Sequence, residues 1–458
     1  MPDQMMTSPE TSPRTYDRLV EAFLAHGKET PDFLQRFITE EPANPRGPAI
    51  RALMLTLLAR RELLRPAQEA AAAALALLAR QNACRGERAF VEAASAASHG
   101  AWWAALDQLE IAITENPADT LAAKLSHNLR FMLGDKAGML CSIERVLKNL
   151  PARHQHRGFL LGCHAFALEE NGDYARAERV GQNAVALESR DAWGLHAVSH
   201  VHEMTGRVED GIRWIEGSEA AFRHCNNFGG HLFWHLALFK LEKGAVGEVL
   251  ALYDGHIRRD ETDDFRDIAN GASLLMRLEL HGHDVGARWE ELADKAEARI
   301  ADRSLIFADL HYMLALIGGG RREAAGQLAR SIAEVPASVS AQNLIAQRAG
   351  RGTAKGLLAF ADGDMGRAVD CLAGSRRMRG GVGGSDAQRD VFEMVMIEAG
   401  LQAGEDRLVR SILSERLAAR GGHNRFAETR LARLGRSISS ARGALSLKAA
   451  LAFAVPAH

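Results

Sequence analysis

The sequence predicts an all-α protein assembled from stacked helix-turn-helix units. Three observations carry that prediction. The composition favours helices: of 458 residues 47% are apolar but only 6% aromatic, Ala, Leu, Glu and Arg dominate, and 12 prolines interrupt the chain. Glycines recur in a fixed setting, after one helical run and before a second that carries a small residue five positions on. No stretch alternates apolar and polar residues for long enough to make a sheet.

The glycines are Gly100 ("ASHGAWWAAL"), Gly134 ("FMLGDKAGML"), Gly172 ("EENGDYARAE"), Gly206 ("EMTGRVEDGI") and Gly244 ("LEKGAVGEVL"), separated by 34, 38, 34 and 38 residues. Thirty-four is the tetratricopeptide period. The longer gaps hold four extra residues in the loops between units. Each glycine takes the turn between a first and a second helix, where a side chain is costly. Ala105, Ala177 and Gly211 then let the helices approach, and Pro117 in "TENPADT" closes the first clear unit. Looser units surround Gly319, Gly363 and Gly404, and "ALMLTLLARRELLRPAQEAAAAALALLAR" reads as two earlier helices. No unit buries its apolar face alone, so the expected form is a right-handed superhelix, a tetratricopeptide-like α-solenoid. The expected boundaries are a disordered start at 1–15, one array over 16–435, and a capping helix or tail at 436–458.

Charge and targeting signals narrow the function classes. Basic and acidic residues nearly cancel, 56 against 58, which argues against nucleic acid as a partner. No run of about 18 apolar residues predicts a membrane span. The opening "MPDQMMTSPETSPRTYD" lacks the apolar core of a signal peptide. Five scattered cysteines with no C-x-x-C read as reduced thiols, so a cytoplasmic protein is expected.

The densest polar signal is "WGLHAVSHVHEM". His196, His200 and Glu203 stand at i, i+4 and i+7 and share one helical face. With the turn glycine as position 15 of its unit, Leu195, Val198, Ser199 and His202 pack on the second helix. Trp193, His196, His200, Glu203 and Met204 then face the concave groove. In the next unit, "FGGHLFWHLALFKLEKG", His231 reaches the same face and His235 its edge. First helices of adjacent units lie about 10 Å apart, so these side chains should converge. The preceding helix, "GFLLGCHAFALEENG", offers Phe159, Phe166, Glu169 and Glu170. Asp309 and His311 of "FADLHYML", with Gln388, Arg389 and Asp390 of "GGSDAQRDVF", add further polar groups.

Taken in order, "DAWGLHAVSHVHEM", "GGHLFWHLALFKLEKG", "ALYDGHI" and "GGSDAQRDVF" resemble the tetratricopeptide repeat protein 38 family, from about residue 30 to about residue 435. The resemblance implies an all-helical repeat protein, found in bacteria and eukaryotes. The family has no assigned biochemical role, so no activity is implied.

Two uses of the pocket follow from its chemistry. Two histidines and a carboxylate suit a divalent metal, with His231 or His235 completing the set, and a metal-bound water would make the protein a metal-dependent enzyme. Affinity for such an ion should fall as imidazole titrates near pH 6.5. The leading reading is an interaction protein whose groove binds a peptide or small molecule without metal, with the metal-dependent enzyme as the alternative. Peptide clamps favour Lys, Arg and Asn in the groove, whereas His and Glu stand here. No cofactor beyond that candidate divalent metal is suggested. Other motifs read as structure. "RMRGGVGGSD" lacks a preceding strand and a following Gly-Lys-Ser/Thr, so it reads as a loop. Trp102 and Trp103 read as packing, and His154, His156, His281 and His283 as loop or turn residues. Cys163 and His164 point to different helix faces. There is no G-x-S-x-G.

Overall fold

The computed structural model describes residues 14–336 and 340–435. Over them the chain runs helix after helix, from Thr15–Leu24 to Asp406–Ala419, with further helix at 425–435. One isolated bridge, Gly27 to Cys225, is the nearest approach to a sheet among the described residues. Residues 1–13, most of the expected disordered start, and 436–458, the expected cap or tail, lie outside the described residues.

Turn chemistry sets the repeat. Gly100, Gly134, Gly172, Gly206 and Gly244 all adopt positive φ, between 67° and 84°. Gly282 and Gly320 continue the series at two further steps of 38 residues. The left-handed residue of the triple glycine is therefore Gly320, one place after the Gly319 expected. At three turns an aspartate follows the glycine and caps the second helix: Asp135 accepts from the Gly138 N–H, Asp173 from Arg176 and Asp364 from Arg367. Each such cap contributes about 1 kcal/mol.

Helices then pack on their sequence neighbours and on the first helix of the next unit. Helix Arg157–Glu170 touches both Tyr174–Leu187 and Ala192–Met204. Small residues allow this. Ala177 packs with Leu168 and Val201. Gly211, expected to admit its own partner helix, instead admits the next unit: a Cβ there would collide with the Phe239 ring. The product is an all-α solenoid of tetratricopeptide-like helix pairs.

The concave groove departs from expectation, because it is filled. Residues 192–202 are buried without a break, as are 306–316. A helix lining an open groove keeps one wet face. Both ends of the array supply the cover. Helix Asp386–Ala403 packs against Ala192–Met204, Phe265–Leu280 and Arg351–Ala361. The backbones of Gly380 and Arg420 lie on the turn glycines Gly134 and Gly206, where any side chain would collide. From the other side helix Thr15–Leu24 packs on Thr120–Leu133. The His26 carbonyl accepts the Asn226 N–H at 2.8 Å, and Arg190 ties the same corner to Glu21 and Glu29 at 2.9 and 3.2 Å. The physical reason is apolar area. Phe166, Trp193, Trp234 and Phe392 all point inward and are buried, and each Å² removed from water is worth about 25 cal/mol. Among the described residues, no helix is long and apolar enough to cross a membrane.

Candidate metal centre

Helix Ala192–Met204 carries His196 and His200 one turn apart, and helix Phe228–Lys243 carries His231 and His235 at the same spacing. The two helices face each other, and all four imidazoles are buried, 0–9% exposed. His196 Nε2 lies 3.0 Å from His231 Nε2 and 2.9 Å from His200 Nε2. One ring nitrogen from each of the four lies within 4.8 Å of the others.

The outward nitrogens of His231 and His235 meet oxygens, whereas the Nδ1 of His196 and of His200 have no hydrogen-bond partner among the described residues. His231 Nδ1 lies 2.9 Å from Asn270 Oδ1, and His235 Nδ1 lies 3.1 Å from Glu203 Oε2. His200 Nδ1 is 3.6 Å from Glu169 Oε2. An oxygen acceptor at Nδ1 draws the proton there and leaves Nε2 as a bare lone pair. One proton on His196 Nε2 serves one of its two imidazole contacts and leaves the other without a donor. The interior of the cluster therefore collects lone pairs.

Burial holds all four imidazoles below their ordinary range, His231 at about 4. Repulsion from neighbouring imidazoles deepens the effect at His196, His200 and His235. The neutral, ligating form thus extends well below the expected pH 6.5. Aromatic walls complete the enclosure. Phe166 stacks on His196 at 5.4 Å and Trp234 on His231 at 5.2 Å, while His26 stacks on Trp193 and Phe228.

Other residues read from the sequence stand at varying distances from this core. Glu203 sits outside the four-nitrogen set. It holds His235 and lines a cavity of about 60 Å³ with Arg277, Asp390 and Arg420. Glu169 and Glu170 are buried behind His200. Burial pushes both carboxyls up, Glu169 further through the charge of Glu170, and Glu170 to about 7 against the pull of Arg389. Arg389 pairs with Glu170 at 3.4 Å and with Asp386. Asp390 belongs to a separate cluster with Arg416, Arg420 and Arg277. Asp309 is buried within the fields of Arg303 and Asp302 and outside the histidine set, and His311 Nδ1 lies 2.7 Å from the Phe307 carbonyl with its ring against Phe392. Asp309, His311 and Asp390 therefore do not join the four histidines. His202 faces Trp214 of the second helix, and Leu195 and Val198 are buried, in keeping with the repeat phase. Because His196 is as enclosed as Leu195, truncating it opens a hole in the interior rather than a bare patch on a groove.

Sequence reasoning missed three contributors. Asn270 stands in "DIANGASLL", on the first helix of the unit that turns at Gly282, where the 38-residue step from His231 lands on its neighbour Ala269. Trp234 hides in an apolar run. His26 follows the first helix of the chain and takes a φ of 56°, with no local pattern to announce it. His154 and His156, read as loop residues, line a pocket of about 350 Å³ with Tyr16, Arg46 and Asp119.

Four neutral nitrogen donors in a closed set suit a late first-row divalent ion held tetrahedrally. Four such donors would fill every position of that geometry and leave none open for a water.

No family model matches the chain. A solved structure described as "Structure of Naa15/Naa10 bound to HypK-THB" is similar to it at 14% identity and a TM-score of 0.25, over 88% of this chain. This chain spans 63% of the length of that neighbour. At that score the likeness carries no argument, and the fold stands on the helix order and packing above.

Proposed function

We propose that this chain is a helical-repeat metal-binding protein that holds a divalent transition-metal ion at His196, His200, His231 and His235. One observation carries the reading: four buried imidazoles turn ring nitrogens toward a common point, while Asn270 and Glu203 hold the outward nitrogens of His231 and His235. Oxygen acceptors behind ligating histidines fix the tautomer and orient the ring. Buried lone pairs without donors are costly, and a cation is their natural complement. The resemblance of the quoted segments to the tetratricopeptide repeat protein 38 family is compatible with this role and adds no activity to it.

A closed four-nitrogen set favours holding over catalysis, because metal-bound water needs an open position. The imidazoles are 0–9% exposed, which favours an enclosed ion over a peptide laid along them.

The test is metal content. The full chain, purified without chelator, is incubated in turn with Zn²⁺, Co²⁺, Ni²⁺ and Cu²⁺, gel-filtered and analysed by mass spectrometry for metals. At least one ion per chain should be retained, with intense tetrahedral d–d absorption in the cobalt form. His196→Ala combined with His231→Ala should abolish retention at this centre. A wild-type chain that keeps none of the four ions overturns the reading.

A further inference from the structure

The four imidazoles do not exhaust the ligating groups in the interior. His200 has two sides. Its Nε2 faces His196 within the cluster. Its Nδ1 faces away, toward Glu169 Oε2 at 3.6 Å, and neither of these two atoms has a hydrogen-bond partner among the described residues although both are buried. Glu170 lies alongside, and one ligand atom from each of Glu169, Glu170 and His200 falls within 4.8 Å of the others. Glu169 and Glu170 are 2% and 4% exposed and His200 is fully buried.

We propose that Glu169, Glu170 and the Nδ1 of His200 form a second cation site, and that His200 bridges it to the four-histidine centre through its two ring nitrogens. The inference rests on the reading of that centre as a metal site.

Charge supports it. Arg389 is the cation paired with Glu170. It also bonds the carbonyls of Gly383 and Gly384 and the carboxylate of Asp386, so it is committed to the start of helix Asp386–Ala403. Glu170 Oε1 likewise accepts the Asp386 N–H at 3.0 Å. Glu169 is left with no cation of its own. A buried carboxylate in that position calls for a positive ion as its complement. The balance of the binding step is simple. A neutral imidazole carries one proton; with an ion on each nitrogen that proton leaves to solvent, along with any proton on the two carboxyls. Two carboxylates and a divalent ion then sum to neutrality, Arg389 and Asp386 offset each other, and the imidazolate charge is shared between the two ions it joins. The donor set, two oxygens and one nitrogen, is harder than the four-nitrogen set beside it and suits a first-row divalent ion.

The experiment loads the metal-free full chain with Cu²⁺, removes excess by gel filtration, and compares bound copper with the spin count from electron paramagnetic resonance. Two coppers per chain are expected, with a spin count well below the copper count, because two Cu²⁺ ions joined by an imidazolate couple antiferromagnetically. Glu169→Gln, which keeps the shape and removes the charge, should retain one copper with its full spin count. One copper at full intensity in the wild-type chain overturns the second site and leaves the four-histidine reading standing. Two coppers at full intensity place the second ion elsewhere and overturn the bridge. No copper at all overturns this inference, and the four-histidine reading falls with it where zinc, cobalt and nickel are not retained either. The wild-type spin count decides the matter even where the variant does not fold.

Discussion

Two polar clusters lie inside this protein within a few residues of Glu203, and they are built on opposite principles. Around Asp390 the charges close on themselves. Arg416 makes a two-pronged contact with the carboxylate, Arg420 joins at 3.3 Å, and Arg277 stands 4.0 Å away with its own bonds to the Ser273 and Ala387 carbonyls. Among the described residues, no side-chain atom of these four is both buried and without a partner. The guanidinium groups outweigh burial and hold the Asp390 carboxyl far below the usual range. Around His196 the reverse holds. Nδ1 of His196, Nδ1 of His200, Nε2 of His235, Oε2 of Glu169 and Nε1 of both Trp193 and Trp234 are buried without a hydrogen-bond partner. A saturated cluster reads as architecture, and an unsaturated one whose open valences converge reads as a place for something else.

The comparison can be broken most directly at its saturated half. Asp390→Ala leaves buried guanidiniums without their shared anion and should cost about 3–5 kcal/mol. The loss should be the same with and without metal. A urea titration showing under about 1 kcal/mol would mean that the cluster is not what holds the covering helix in place.

A second test takes an unsatisfied group with no companions. Neither oxygen of Asp309 has a hydrogen-bond partner among the described residues, and burial raises its carboxyl from 3.8 to about 7 against the pull of Arg303. The folded pKa lies above the unfolded one. The folded state therefore holds the proton more tightly, and the associated stability is complete below pH 4 and lost as pH rises through about 7. Asp309→Asn should flatten that slope, gaining up to about 4 kcal/mol relative to wild type at pH 8 and nothing at pH 4. Thermal melts at the two values read the difference, and a gain that does not depend on pH would refute it.

The smallest expected effect sharpens the unsaturated half. Asn270→Ala frees the outward nitrogen of His231. Metal affinity should fall about 10- to 100-fold, by analogy with other outer partners of ligating histidines. Competition against a chelator of known affinity measures this. An unchanged affinity would show that His231 needs no orienting oxygen.

Much of the fold was legible because its rules are local. A left-handed turn favours glycine, so Gly100, Gly134, Gly172, Gly206 and Gly244 mark their turns openly, and the phase they set puts His202 toward Trp214 and turns His196 and His200 the other way. The convergence of His231 and His235 on those two follows from the same count. Closure was not legible. It depends on Gly380 meeting Gly134, on Arg420 meeting Gly206, and on His26 reaching Trp193. Each contact joins segments more than 150 residues apart, and no local pattern records such a pairing. That is why Glu203 was placed among the ligands when it stands behind His235, and why a groove was expected where there is an interior.

The covering helix also lies late in the chain. Asp386 comes about 190 residues after His196, and synthesis proceeds at about 5–20 residues per second. The first two imidazoles are therefore made roughly 10–40 s before the helix that encloses them. Through that interval dissolved ions reach them freely; once Asp386–Ala403 has docked, exchange must wait for it to lift away. On the proposed reading, the ion that occupies the centre is chosen under kinetic control, by what is abundant during translation, and the purified protein carries a record of the medium in which it was made.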